Sequence, residues 1–242
     1  MYGYYGYGYG GGNTLYTVSI VLILVCVIFT AWAQYSVNST FKRYSTVHTR
    51  RGLTGAQAAQ AVLRANGVGN VRIEHVSGSL TDHYDPRGNV IRLSDTVYGS
   101  DSVAAVGVAA HEAGHAVQYA KGYALIQLRM KIIPVCNFGS KLAWPILLLG
   151  FVLNYGVLLF AGVALYALAT VFQLITLPVE LDASRRALKA LGGGLLGENE
   201  LPMARKTLTA AAMTYVAALA ASLAQLLRLL AMVLGRRSNN DR

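Results

Sequence analysis

Apolar positions along this chain fall into two patterns: long uninterrupted runs, and short periodic segments between them. Thr14 to Ala33 carries no charged residue. As a helix, such a run of about 20 residues covers roughly 30 Å, the hydrocarbon thickness of a bilayer. Leu142 to Val179 is apolar almost throughout, broken only by Pro145, Asn154-Tyr155 and a few small residues. That length predicts a helical hairpin turning near Asn154, its first limb starting near Ile132. A further apolar helix, about Leu208 to Leu234, contains Arg228, so it either crosses the membrane or packs against the other helices. Three to four spans are expected.

Between the runs the period changes. Thr54-Gly55-Ala56-Gln57 is a capping-box signature opening an Ala-rich helix, and Asn66-Gly67 is a natural stop. Val71, Ile73 and His75 alternate with Arg72, Glu74 and Val76, which predicts a half-buried strand. A second strand, Asn89 to Ser94, follows the turn signal Asp85-Pro86-Arg87-Gly88, so a hairpin or small sheet is expected. The segment Asn89 to Leu93 is a candidate edge for β-pairing with a bound peptide. From Asp101 to Gly122 an Ala/Val-rich helix is predicted, with Asp101 or Ser102 as N-cap.

The expected organisation is a Tyr/Gly-rich tail (1–13), an anchor (14–33) and a small helix-strand module (34–131) containing the motif helix (101–121). A transmembrane hairpin (132–178), a helix and loop (179–206), an apolar helix (207–235) and a tail (236–242) complete it. The tail Met1 to Gly12 has too little aliphatic content to build a core.

Composition changes the picture in one respect. With 54% hydrophobic against 13% charged residues, the chain lies outside soluble usage. The net charge of +10 does not indicate nucleic acid, because the basic residues flank the apolar runs and no binding motif accompanies them. Lys42, Arg43, Lys131, Lys141, Arg185, Arg186 and Lys189 fall on one side of the first three spans, which the positive-inside rule makes cytoplasmic. The amino terminus then faces out, and a fourth crossing would place Arg236 and Arg237 outside. Ala31-Trp32-Ala33 has the small-x-small form of a signal-peptidase site. No positive charge precedes it, however, so a retained anchor is the better reading. Cys26 and Cys136 suggest no disulfide framework.

The candidate chemistry is the pentad His111-Glu112-Ala113-Gly114-His115. Residues four apart share a helical face, so both imidazoles can meet one metal ion, with Glu112 alongside. Zinc hydrolysis needs this arrangement: neutral nitrogen ligands, and a carboxylate to take a proton from an activated water. Catalytic zinc usually takes a third protein ligand. The downstream carboxylates are Glu180, Asp182, Glu198, Glu200 and Asp241. Glu180 and Asp182 stand out, just past Pro178 and after an apolar lead-in.

Several segments together make the chain resemble the YugP-like neutral zinc metallopeptidases, a bacterial family of membrane-anchored, gluzincin-type proteins. They are Gly52-Leu53-Thr54-Gly55, Leu80-Thr81-Asp82-His83-Tyr84-Asp85-Pro86-Arg87, Val90-Ile91-Arg92-Leu93-Ser94 and Ala109-Ala110-His111-Glu112-Ala113-Gly114-His115-Ala116. Thr176-Leu177-Pro178-Val179-Glu180-Leu181-Asp182-Ala183-Ser184 and Ala211-Ala212-Met213-Thr214-Tyr215-Val216-Ala217 extend the resemblance, which runs from about Gln34 to Leu230. It implies an α+β integral membrane protein, mostly helical, with a small α/β zincin-like metallopeptidase module containing a short sheet. It further implies one Zn²⁺ per chain held by His111, His115 and Glu180, with Glu112 as general base. Related membrane proteases of the HtpX and CAAX-prenyl-protease kind carry Glu-x-x-x-Asp, the Asp orienting a ligand His. Here Ser184 occupies that place, so Asp182 is the substitute candidate for receiving an imidazole N–H.

The expected function is zinc-dependent hydrolysis of peptide bonds in protein or peptide substrates, in the bacterial cytoplasmic membrane, with the module facing the cytoplasm. His83, Tyr84 and Tyr215 are candidate oxyanion donors. The alternative from another class is a non-catalytic membrane scaffold or adaptor with a structural zinc site. A transporter with intramembrane ionisable residues is a weaker third reading. Beyond substrate and membrane lipid, no partner is indicated, and nucleic acid is not expected.

Overall fold

The computed structural model describes residues 11–240, with side chains at Thr14 and from Tyr16 to Gly235. Most of the Tyr/Gly-rich tail therefore lies outside the described residues, as do the side chains of Arg236 and Arg237. The element order is α1 (Gly11–Tyr44), α2 (Gly55–Ala65), β1 (Arg72–Val76), β2 (His83–Asp85), β3 (Val90–Ser94), α3 (Val103–Ala120), α4 (Ala124–Val152), α5 (Gly156–Ala190) and α6 (Leu201–Asn240). The protein is mostly helical with one small sheet.

Among the described residues four helices are long and apolar enough to cross a membrane, over Tyr16–Tyr44, Ala124–Val152, Gly156–Leu195 and Leu201–Gly235. The Arg228-containing helix is thus among them. Where the pattern suggests a boundary at Ala33, α1 runs on to Tyr44. Polarity alone does not end a helix, and Gln34 to Phe41 contains neither Gly nor Pro. Likewise α5 continues through Pro178 to Ala190 rather than breaking there. The backbone bond that Pro178 forfeits is offset by packing just beyond it, where Val179, Ala183 and Ala187 are fully buried. The hairpin between α4 and α5 turns at Asn154, whose φ of 52° lies in the left-handed region that Asn tolerates.

The chain divides into two compact units. A helical unit takes 1–30, 132–173 and 217–242, and a mixed unit takes 31–131 and 174–216. In the helical unit, Leu147, Leu159, Val163, Leu229 and Val233 form the buried cluster. Gly150 and Gly162 admit Leu159 and Leu147, since a Cβ at either position would meet those residues within 3.0 Å. The hydroxyls of Thr170 and Ser222 join α5 to α6 at 2.7 Å.

In the mixed unit, the capping box at Thr54 and Gln57 forms as expected, and α2 ends at Asn66. Its apolar face packs on α3 through Val62, Leu63, Val106 and Ala110, all in one core with Ile91 and Leu93. The sheet order is β1-β3-β2. β1 pairs with β3 in parallel, Arg72 opposite Val90, while β2 pairs antiparallel, His83 opposite Arg92. The turn at Asp85–Gly88 therefore closes a β2–β3 hairpin, with Arg87 N–H donating to Asp85 Oδ1 at 2.9 Å. This corrects the edge expectation. Segment Asn89 to Leu93 contributes the central strand, with both sides occupied, and Val90, Ile91 and Leu93 are fully buried. A near-continuous apolar strand is what burial on both faces selects, and the edge falls to β2 instead.

Candidate metal centre

The motif helix α3 is set locally at both ends. Ser102, fully buried, accepts the Ala105 N–H at 3.2 Å as N-cap. At the other end, Gly122 N–H reaches the Tyr119 carbonyl and Tyr123 N–H the Gln118 carbonyl, with Gly122 at φ 67°. This paired Schellman closure is available to a residue without a Cβ at no steric cost. Between the caps, Glu112 is the helix's only carboxylate or basic side chain apart from its histidines.

What brings α5 to this face is Gly114, the fourth residue of the pentad. A Cβ there would lie 2.6 Å from the Ala183 carbonyl oxygen and 3.1 Å from its carbon. Only glycine lets the two backbones approach so closely. One turn before Ala183, Glu180 then faces both imidazoles, its Oε2 lying 3.2 Å from His111 Nε2 and 3.3 Å from His115 Nε2. The three ligand atoms lie within 4.8 Å of one another, and these residues could hold a metal ion.

The outer nitrogens decide whether a metal fits. Gln118 donates its amide hydrogens to the Val179 carbonyl at 2.8 Å and to Asp182 Oδ2 at 2.9 Å. Both partners are acceptors, so the amide orientation follows, and its Oε1 faces His115 Nδ1 at 3.0 Å. That nitrogen donates, so the neutral tautomer it selects presents its Nε2 lone pair to a carboxylate oxygen. Two lone pairs facing across 3.3 Å require a cation or proton between them. The donor set, two imidazole nitrogens and one carboxylate oxygen, is that of catalytic zinc sites with an open position. The residues present fit the ion.

Around this triplet, other predicted residues are distributed unevenly. Ser184 Oγ lies 3.0 Å from His111 Nδ1, so the hydroxyl is itself the partner of that imidazole. Asp182 reaches His115 only through Gln118, and its carboxylate is also bound by Arg185 at 2.7 Å and by Arg186 at 2.5 Å. The Tyr215 phenol is within electrostatic reach of Glu180, Glu112 and Arg129. His83 is exposed, its Nδ1 2.9 Å from the Thr81 carbonyl, and the Tyr84 hydroxyl goes to Asn89 at 3.0 Å. Tyr84 contributes differently: its backbone amide favours the ionised Glu112 carboxylate, opposing the effect of burial.

Burial pushes the Glu112 carboxyl up to about 7, opposed by His111 and reinforced by the nearby carboxylates of Glu180 and Asp82. A carboxyl balanced near neutrality can both take and return a proton. Burial also raises Asp82, whose carboxylate accepts the Ser94 N–H and hydroxyl. Two contributors escape sequence reasoning. Gln118 is the one amide side chain on an apolar helix, three residues beyond His115, a placement that signals a partner. Arg129 binds Glu180 Oε1 at 2.7 Å from α4, and only the fold could bring it there.

A family model described as "Putative neutral zinc metallopeptidase" matches residues 19–234. The chain belongs to this family. The "Putative membrane protease YugP" of Bacillus subtilis (strain 168) is 46% identical over 210 residues, covering 86% of this chain and 93% of the relative. No solved structure matches. Membership establishes the resemblance read from the motifs, and its zinc description agrees with the donor set of α3 and α5.

Proposed function

We propose that this protein is a membrane-embedded zinc metalloendopeptidase, built on a zincin-like α/β module, that hydrolyses peptide bonds of protein substrates. The observation that carries the reading is the meeting of His111, His115 and Glu180 on one point, with Glu112 beside them. Bound there, zinc would polarise the scissile carbonyl and acidify the attacking water. His111, His115 and Glu180 hold the ion, one per chain. Glu112 takes the proton of the water and delivers it to the leaving amine. Ser184 and Gln118 hold the imidazole planes by their Nδ1 atoms, and Asp182 fixes Gln118.

Of the three oxyanion candidates, Tyr215 has the supporting position, since its phenol is near both Glu112 and Glu180. The β2 strand, an outer strand whose Tyr84 amide acts on Glu112, is the edge along which an extended peptide would lie. The protein is a multi-pass component of the bacterial cytoplasmic membrane, with the mixed unit in the cytoplasm and the amino terminus outside. Most Lys and Arg residues belong to the mixed unit, and four spans return the chain to the side on which it began.

Elemental mass spectrometry of detergent-purified wild type and His115→Ala tests the centre: about one zinc per wild-type chain is expected, lost in the variant. Glu112→Gln should keep its zinc and lose cleavage of an unfolded protein substrate. Undiminished cleavage by Glu112→Gln would overturn the base assignment, and a wild type without zinc after reconstitution would overturn the reading.

A further inference from the structure

A second site lies away from the metal centre, where the end of α1 meets the start of α6. The two helices frame an open cleft of about 400 Å³. Arg43 from α1 and Arg205 and Lys206 from α6 line it, and no carboxylate does. Among the described residues none of these three cations forms an ion pair, although Arg43 also rests on the Tyr44 ring at 5.6 Å. All three are exposed at the mouth of the cleft, so an anion seated in it would meet positive charge from both helices.

The position along the helices indicates which anion. Trp32 and Met213 line the same cleft, and the mixed unit takes α1 from Ala31 and α6 only as far as Val216. Along both helices Trp32 and Met213 thus lie close to the point where the chain passes to the helical unit, and the cations lie further from it. An exposed Trp at that level is typical of residues seated in the headgroup region. Basic pockets between membrane helices on the cytoplasmic side suit acidic headgroups, and the Thr209 hydroxyl adds a donor.

We propose that this cleft binds the phosphate headgroup of an anionic phospholipid, with Arg43, Arg205 and Lys206 as its counter-charges. The proposal rests on the membrane reading above. The full chain, purified in detergent and exchanged into nanodiscs, is examined by native mass spectrometry with phosphatidylglycerol or phosphatidylcholine, after alkaline-carbonate extraction of the source membranes. Wild type should retain phosphatidylglycerol preferentially. The triple variant Arg43→Gln, Arg205→Gln, Lys206→Gln should stay in the carbonate-resistant membrane and lose on the order of a hundredfold in that preference. A control with Arg64→Gln, Arg87→Gln and Lys121→Gln, all outside the cleft, should lose none. Equal retention of both lipids by wild type, an equal loss in the control, or equally tight binding of inorganic phosphate would each overturn the lipid site while leaving the membrane reading intact. Release of wild type by carbonate would overturn both.

Discussion

In the mixed unit Leu63, Ile91, Leu93 and Val106 are wholly buried, and polar side chains inside it find partners: Gln118 in His115, Asp182 and the Val179 carbonyl, and Glu180 in Arg129. In the helical unit the large apolar side chains face outward instead, with Ile28 70% exposed, Phe138 67% and Val152 72%. The proposed membrane placement accounts for both, with water around the first unit and lipid around the second. Where the solvent is hydrocarbon, burying Leu gains nothing, so close approach at glycines and hydroxyl pairs such as Thr170–Ser222 join the helices. Where the solvent is water, apolar burial holds the core, and a cluster of ionisable groups persists only if each finds a partner.

The comparison can be broken most severely at the ligands. Glu180→Ala should weaken zinc binding by more than the roughly 10–100-fold expected for a residue that merely supports a ligand, whereas Asp182→Ala should stay within that range. Competitive chelator titration separates them, and the reverse order would exchange their roles. Gln118→Leu removes the acceptor for His115 Nδ1 and leaves Asp182 and the Val179 carbonyl each short of a donor. The same titration should register a 10–100-fold loss, with Gln118→Glu recovering part of it because a carboxylate still accepts from the imidazole.

Gly114→Ala tests the α3–α5 contact without touching a ligand. Its methyl must displace the Ala183 carbonyl, so unfolding in detergent should show a loss of about 1–3 kcal/mol together with weakened zinc binding. Unchanged zinc affinity would show that the contact does not position Glu180. The smallest effect belongs to the helical unit. Thr170→Val should cost about 0.6 kcal/mol, the mean for hydrogen bonds between membrane helices, with zinc content unaltered. A loss of zinc there would contradict the separation of the two units' roles.

Much of the architecture was legible because its signals are local. The α2 capping box at Thr54 and Gln57, the Ser102 cap and the turn at Asn154 each depend on a few neighbouring residues. The apolar runs announced membrane helices by length alone, though not their ends, since α1 and α5 continue past Ala33 and Pro178. The sheet was half legible. Alternation at Val71 to Val76 marked β1, but pairing order is not a property of one strand. Thus β3 proved central, and β2, only three residues long, passed unnoticed.

By itself the sequence determined that His111 and His115 share a helical face with Glu112 beside them, that long segments belong in lipid, and that the chain resembles a zinc peptidase family. Those follow from helical period, length and motif. Only the tertiary structure brought Glu180 to the imidazoles across 69 positions, with Ser184, Gln118 and Arg129 around it. Residue spacing along one helix is set by its own hydrogen bonds. Distance between two helices is set by what lies between them, here the missing side chain of Gly114.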